Sequence, residues 1–368
     1  MKILVTGGAG FIGSHITDEL VKQGHDVRIM DNIEPQVHGS KAPTYLSKDA
    51  EFVHGNVTKI EDWMKALKGV DAIVHQAAMV GVGQSMYQPV RYHMVNTIGT
   101  ALMYEAIMNG KFPIQKIIVA SSKSTYGEGA YFCEEHGEVW PGLRSLKQLE
   151  NKEWEVMCPK CGRHVKPIPT AEHKPPQNLS VYAISKYDQE KLAIDFGHAL
   201  KIPTVAFRYF NVYGPRQSLN NPYTGLCAIF SSRIKNGNCP VIYEDGLQSR
   251  DFVYVSDIVQ ANVLALEKAE GVKVYNVGTG MPTTVLDVAN TLIKLYGSDV
   301  KPEISQKFRV GDNRHDYADI SLIQKELGFK PRVKFSEGMK QLVEWGRTTE
   351  AIDRFEEADR EFKESLSR

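Results

Sequence analysis

The chain has 368 residues, 42% hydrophobic and 24% charged, enough to bury a sizeable core in one large domain or two intimate ones. Lysine plus arginine and aspartate plus glutamate both number 44, so no global field draws it to nucleic acid or to an anionic membrane. Apolar runs such as 70–75 are too short to span a bilayer, and a strand pattern starting at residue 2 leaves no room for a signal peptide. Five cysteines make no disulfide framework at this length, and the chain reads as a cytoplasmic protein.

The first thirteen residues run an apolar strand, 2–6, into glycines at Gly7, Gly10 and Gly13. Glycine allows the tight strand-to-helix turn, then backbone approach to a pyrophosphate, then close packing of helix on strand. The phosphates would sit on the helix N-terminus. A second strand, 26–30, ends in Asp31, placed to bond an adenine ribose 2′-hydroxyl and to repel a 2′-phosphate, which favours NAD over NADP.

Further apolar runs at 51–54, 72–75 and 116–120 alternate with amphipathic stretches at 60–67 and 97–108. This alternation predicts an α/β fold, a doubly wound parallel sheet with helices on both faces, which strands at 204–208 and 251–254 would extend. The strand at 116–120 ends in Ser121-Ser-Lys-Ser-Thr-Tyr-Gly127 at the sheet's carboxyl edge. Segments rich in Gly, Pro and Asn, at 213–246 and 272–335, look like a smaller α/β lobe over the strand ends, with substrate in the crevice.

After Tyr126-Gly127 comes an excursion carrying Cys133-Glu-Glu-His136 and Cys158-Pro-Lys-Cys161. Two such pairs fit a tetrahedral Cys₃His zinc site of Cys133, His136, Cys158 and Cys161, with His164 as a substitute ligand. Protein fills all four positions, so the metal would be structural, pinning a loop of little apolar content. Acids at Glu134 and Glu135 and the neutral overall charge argue against a nucleic-acid finger. Cys227 and Cys239 read as packing residues.

Tyr182 and Lys186 stand at i and i+4, on one face of a helix. A nearby ammonium and an oxidised nicotinamide would stabilise the phenolate, letting Tyr182 accept a proton from a sugar hydroxyl while the carbon gives hydride to NAD. A hydroxyl from the serine-rich strand end could share that proton. The last stretch, 348–367, is highly charged and reads as a solvated terminal helix without chemistry.

Together these motifs resemble the extended short-chain dehydrogenase/reductase family, the sugar-nucleotide epimerases and dehydratases, over nearly the whole chain to about residue 345. The likeness includes His75-Gln-Ala-Ala78, Asn96 in Asn-Thr-Ile-Gly-Thr, Arg208-Tyr-Phe-Asn-Val-Tyr-Gly-Pro-Arg216 and Arg250-Asp-Phe-Val-Tyr-Val-Ser-Asp257. It implies a Rossmann-type sheet with Ser122, Tyr182 and Lys186 catalytic. The implied NAD contacts are Gly7, Gly10, Phe11, Ile12, Gly13, Asp31 and Asn32, then Asn56, Val57, Gln76, Ala77, Ala78 and Asn96, with Tyr182 and Lys186. Ser122, Ser124, Asn211, Arg250 and Arg314 are the implied substrate contacts, with Asn211 and the arginines on the nucleotide diphosphate. One departure is Asn56, where the family usually has an aspartate near the adenine; it still donates and accepts hydrogen bonds.

The resembling 4,6-dehydratases need an Asp-Glu pair directly after the catalytic Ser/Thr, and here Lys123-Ser124 stand there, which sets dehydration aside. Oxidation at C4 and return of the hydride remain, with NAD regenerated each turnover and able to stay tightly bound. The 4-keto sugar must turn over inside the site, so binding energy must come mostly from the nucleotide diphosphate. The runs 31–39, 80–86 and 221–225 look like the dTDP-L-rhamnose 4-epimerase branch, whose members also carry a cysteine-rich insertion, in four-cysteine versions where His136 replaces a cysteine here. The alternatives are a UDP-hexose 4-epimerase (glucose/galactose, N-acetyl or uronic forms), a nucleotide-sugar 4-dehydrogenase or reductase, and a non-catalytic dinucleotide-binding protein. The expected division is 1–130, 166–212 and 247–271 for the NAD-binding domain, 131–165 for the zinc insertion, 213–246 and 272–345 for the substrate lobe, and 346–368 for the terminal helix. The resemblance further implies a homodimer through helices near 92–108 and 180–199, packed as a four-helix bundle, with a dTDP- or UDP-sugar as ligand and no nucleic-acid or membrane partner.

Overall fold

A computed structural model describes residues 1–39, 43–309 and 311–366. In the strand Lys2–Thr6, Ile3 and Val5 bury into one apolar cluster and Leu4 into another on the opposite side of the sheet. A two-residue period with both faces apolar is what a parallel sheet sandwiched between helices requires.

Seven parallel strands lie in the order Val272–Val277, Thr204–Tyr209, Lys116–Ser122, Ala72–His75, Lys2–Thr6, Asp26–Asp31, Glu51–His54. Val5 sits opposite both Ile29 and Val74. The order reverses between Lys2–Thr6 and Ala72–His75, and a crevice opens outside the strand ends at such a point. The helices Phe11–Lys22 and Val255–Lys268 cover one face; Ile60–Ala66, Gly99–Gly110 and Val181–Leu200 cover the other.

Two strands change places relative to the sequence reading. Residues 251–254 do not extend the main sheet: they belong to Ser249–Tyr254, which pairs with Asn211–Tyr213, Pro282–Thr284 and His315–Asp316 in a separate sheet of the smaller lobe. The seventh main-sheet strand is Val272–Val277, paired along its length with Thr204–Tyr209. The lobe's core gathers Phe230, Ile242, Val288, Leu292, Met339 and Leu342.

The insertion also departs from expectation, because it has a small apolar core of its own. A three-stranded antiparallel sheet, Ala130–Cys133, Gly137–Val139 and Lys166–Ile168, packs Tyr131, Val139, Val156 and Val165 around Cys133 and Cys158. The terminal helix runs Phe355–Leu366; residues 346–348 instead finish the lobe helix Phe335–Thr348, and 367–368 lie outside the described residues.

Candidate active site

The glycine turn is built by backbone crowding. Gly7 sits at φ +67°, and a Cβ there would lie 2.7 Å from the Ala77 nitrogen. A Cβ on Gly13 would lie 2.2 Å from the Gly7 carbonyl oxygen. The helix Phe11–Lys22 begins at Gly10 with no side-chain cap, so its first N–H groups are left for an anion. Asp31 accepts from the Ala9 nitrogen at 3.0 Å and the Ile33 nitrogen at 2.8 Å, fixing the turn and its own carboxylate.

One cleft of about 450 Å³ runs from this turn to the end of Lys116–Ser122. Its walls include Gly7, Gly10, Phe11, Ile12, Gly13, Asp31, Asn32, Asn56, Val57, Gln76, Ala77 and Ala78, followed by Ser122, Ser124, Tyr182, Lys186 and Asn211. The runs 31–39, 80–86 and 221–225, far apart in sequence, also converge here. Gln36 and Gln84 exchange hydrogen bonds at 3.0 and 3.1 Å, and Gln36 donates to Asn221 at 3.3 Å.

Tyr182 and Lys186 sit in the first turns of Val181–Leu200, whose start is capped by Ser180 accepting from the Ala183 nitrogen at 3.1 Å. The Tyr182 phenol is pushed up from its ordinary value by burial, opposed by its hydrogen bond to Ser122. Ser122 Oγ in turn accepts from Ser124 Oγ at 2.9 Å and the Ser124 nitrogen at 3.1 Å. Burial alone brings the Lys186 ammonium down to about 7, and its Nζ donates to Gln189 Oε1 at 2.7 Å. The strand and helix carrying these groups are locked together: Arg208 forks onto Glu190 at 2.6 and 2.9 Å, and Ser121 donates to Glu190 at 2.7 Å.

Three expected site residues are not on the cleft wall. Asn96 is fully buried in a π-helical turn, His93–Ile98, where it bonds Met79 N and O at 2.7 and 3.1 Å and Ser185 Oγ at 2.9 Å; it braces the wall from behind. Arg250 spends its guanidinium on the carbonyls of Ser249, Asn313 and Arg314. Arg314 is fully buried and meets Glu155 at 2.6 Å, Asp245 at 2.7 Å and Glu244 at 3.0 Å. Three carboxylates already saturate it, so no diphosphate contact follows from its position. Gln217 was missed by sequence reasoning. Its Oε1 and Asn211 Oδ1 are buried without hydrogen-bond partners, and both residues line the cleft. Lys123, also on the wall, was noted only as the absence of a dehydratase acid.

In the insertion, the ligand atoms of Cys133, His136, Cys158 and Cys161 lie within 4.8 Å of one another. Cys133 Sγ is 3.7 Å from Cys161 Sγ and 3.6 Å from His136 Nδ1, and Cys158 Sγ is 3.8 Å from that nitrogen. Sulfurs held tetrahedrally at ~2.3 Å from one ion stand ~3.8 Å apart, so the donor set could hold a zinc-sized ion. His164 is exposed and outside the group.

Residues 3–141 and 157–278 match the NAD dependent epimerase/dehydratase family, with 142–156 falling inside the insertion. The chain is 36% identical over 352 residues to the dTDP-L-rhamnose 4-epimerase of Burkholderia thailandensis, covering 94% of each. Among solved structures it is similar to the UDP-glucose 4-epimerase of Thermotoga maritima with UDP-glucose (TM-score 0.77, 32% identity, 95% of this chain and 99% of that one). It also resembles the Thermus thermophilus UDP-glucose 4-epimerase in complex with NAD (TM-score 0.75, 29% identity, 95% and 100%). Among the described residues no helix is long and apolar enough to cross a membrane.

Proposed function

We propose that this chain, which belongs to the NAD-dependent epimerase/dehydratase family, is a nucleotide-sugar 4-epimerase interconverting dTDP-L-rhamnose and dTDP-6-deoxy-L-talose through a transient 4-keto sugar. The observation that carries this reading is the meeting of Ser122, Tyr182 and Lys186 at one end of a cleft whose other end is the glycine turn. The 36%-identical relative of nearly full coverage supports the sugar and base.

NAD fits the crowded turn, the uncapped helix and the Asp31 carboxylate, and when bound it supplies the acceptor and donor of the C4 hydride. Tyr182 takes the proton from the C4 hydroxyl and gives it back, its hydrogen bond to Ser122 Oγ lowering the cost of the phenolate. Protonated Lys186 adds an electrostatic contribution of the same sign. Asn211 and Gln217, both on the cleft wall, are assigned to the substrate; their unpartnered oxygens are buried, so the amides must turn outward to accept from it. Since Arg314 is saturated by protein carboxylates and Arg250 is off the cleft wall, the diphosphate is assigned to other donors of the cleft.

The Cys₃His group is assigned to structural zinc on its donor chemistry and its near-tetrahedral spacing. The domain division drawn from the sequence is retained with Val272–Val277 moved to the NAD-binding sheet, Ser249–Tyr254 and 346–348 to the lobe, and Ala130 and Lys166–Ile168 to the insertion. Exposed Met94, Ile98, Met108 and Ile184 lie on the helices expected to pair in a homodimer and support that assembly. A cytoplasmic location is kept as the reading of the sequence; among the described residues no helix is long and apolar enough to cross a membrane.

The test is an NMR time course of the purified protein with dTDP-L-rhamnose and, separately, UDP-glucose, without added cofactor. Formation of dTDP-6-deoxy-L-talose to a mixture identical from either side is expected. Conversion of UDP-glucose alone would move the substrate, and conversion of neither after NAD is supplied would remove the reaction.

A further inference from the structure

The cleft wall beside Ser122 carries a buried charge that the proposed mechanism does not use. Lys123 Nζ lies 3.0 Å from Asp316 Oδ2, with the lysine side chain 15% exposed and the aspartate 0%. Asp316 is otherwise unpartnered: Lys123 gives it its one ion pair among the described residues, and neither Oδ1 nor Oδ2 accepts a hydrogen bond. The carboxylate is not on the cleft wall, whereas Lys123 is.

Other groups near the pair are held off the cleft wall. Arg250 donates to three carbonyls there. Glu128 accepts from Tyr131 Oη at 2.7 Å and from the Arg314 and His315 nitrogens at 2.7 and 3.1 Å. An ammonium has three N–H donors and the Asp316 carboxylate stands on one side of it, so Lys123 is the cleft-lining charge next to Ser122 with donors left for a ligand.

The strand bearing Asp316 is itself braced. His315 bonds Ser249 Oγ at 2.9 Å and Glu155 Oε2, from the insertion, at 3.2 Å. Asp316 pairs in register with Arg250. The aspartate is therefore held in place independently of Lys123.

We propose that Lys123, held by Asp316, is a specificity-determining residue that donates to a hydroxyl oxygen of a neutral hexose and disfavours a uronic acid. The inference rests on the 4-epimerase reading and deepens it. The pair is neutral as a unit, so a hydroxyl acceptor gains a charge-assisted bond without adding charge to a buried wall. A sugar carboxylate would be brought up to an ammonium already compensated from behind, with a second carboxylate close by, and its lost hydration would go largely unrepaid.

The test compares wild type, K123M and D316N, reading kcat/KM on dTDP-L-rhamnose or UDP-glucose, whichever the wild type converts, and inhibition constants for UDP-glucuronate and the unconverted neutral nucleotide sugar. Retained NAD in each variant reports that the fold is intact. K123M is expected to lose about tenfold or more in kcat/KM on the neutral sugar, the size of a lost hydrogen bond to a charged donor. D316N, which uncovers the ammonium, is expected to tighten UDP-glucuronate about tenfold relative to the neutral inhibitor, a reversal that general loosening of the wall would not produce. If either single variant loses NAD, the double variant K123M/D316N, which carries no charge in the wall, is expected to show the same loss on the neutral sugar. Wild-type kcat/KM in K123M, or an equal change for both inhibitors in D316N, overturns the inference. A wild type that converts no nucleotide sugar fails the 4-epimerase reading instead, and the two failures are distinguishable.

Discussion

The cofactor end of the cleft and the region behind its far wall are made by different physics. The cofactor end is made of backbone: Gly7 and Gly13 are glycine because the Ala77 nitrogen and the Gly7 carbonyl occupy the space a Cβ would need. The region behind the far wall, where lobe and insertion meet, is made of buried charge. Arg314 joins Glu155, Glu244 and Asp245, Arg144 forks onto Glu244 at 2.7 and 2.9 Å, and Lys123 faces Asp316. A backbone site tolerates no added volume, whereas an ion-pair site tolerates no lost partner.

Breaking each end in its own way sharpens the contrast. The largest effect is expected between them, at the chemistry: Tyr182→Phe lowers kcat by about 10³-fold with NAD still bound, checked by NMR turnover and the cofactor content of the purified variant. Arg314→Ala leaves Asp245 without its cation and takes one of two cationic partners from Glu155 and Glu244, and is expected to cost about 3 kcal/mol in denaturant unfolding. KM for the nucleotide sugar should change little, since Arg314 does not reach the cleft. Gly13→Ala is expected to cost about 2 kcal/mol and to deplete bound NAD, because the added methyl must displace the Gly7 backbone.

Removing the proposed zinc comes next. A chelator or Cys158→Ser is expected to release one zinc per chain by elemental analysis and to lower Tm by roughly 5 °C, opening the insertion before the sheet. The smallest effect is a pH dependence. Lys186 titrates at about 7 in the fold against ~10.4 unfolded, so between those values the unfolded chain holds a proton the native chain lacks. That contribution to stability is present above the unfolded value and is lost as pH falls through 7. Cofactor-free Lys186→Met should therefore exceed wild type in Tm most at pH 7 and below, with the gap closing toward pH 10.

Legibility in the sequence followed the same division. The glycine turn, Asp31 and the Tyr182–Lys186 spacing are local patterns, each set by neighbours within a strand, a turn or a helix, and the structure brings them to one cleft. The cysteine spacing was likewise local, and its four ligand atoms gather. Residues 251–254 and the strand Val272–Val277 are both short apolar runs, and which of them joins the main sheet is decided by partners dozens of residues away. An arginine bound for a diphosphate looks the same in sequence as one bound for protein carboxylates, and Arg314 finds its partners 69, 70 and 159 residues away. Asn96 misled for a related reason: it stands next to Val95, which does line the cleft, but its own side chain turns inward to Met79 and Ser185.

The most direct test of the central claim, hydride removed from C4 and returned to the same carbon by one resident cofactor, uses dTDP-L-rhamnose carrying deuterium at C4 in ordinary water. The account predicts dTDP-6-deoxy-L-talose with the deuterium still at C4 and no net NADH formed. Loss of the label to solvent, or one NADH accumulated for each sugar consumed, would contradict it.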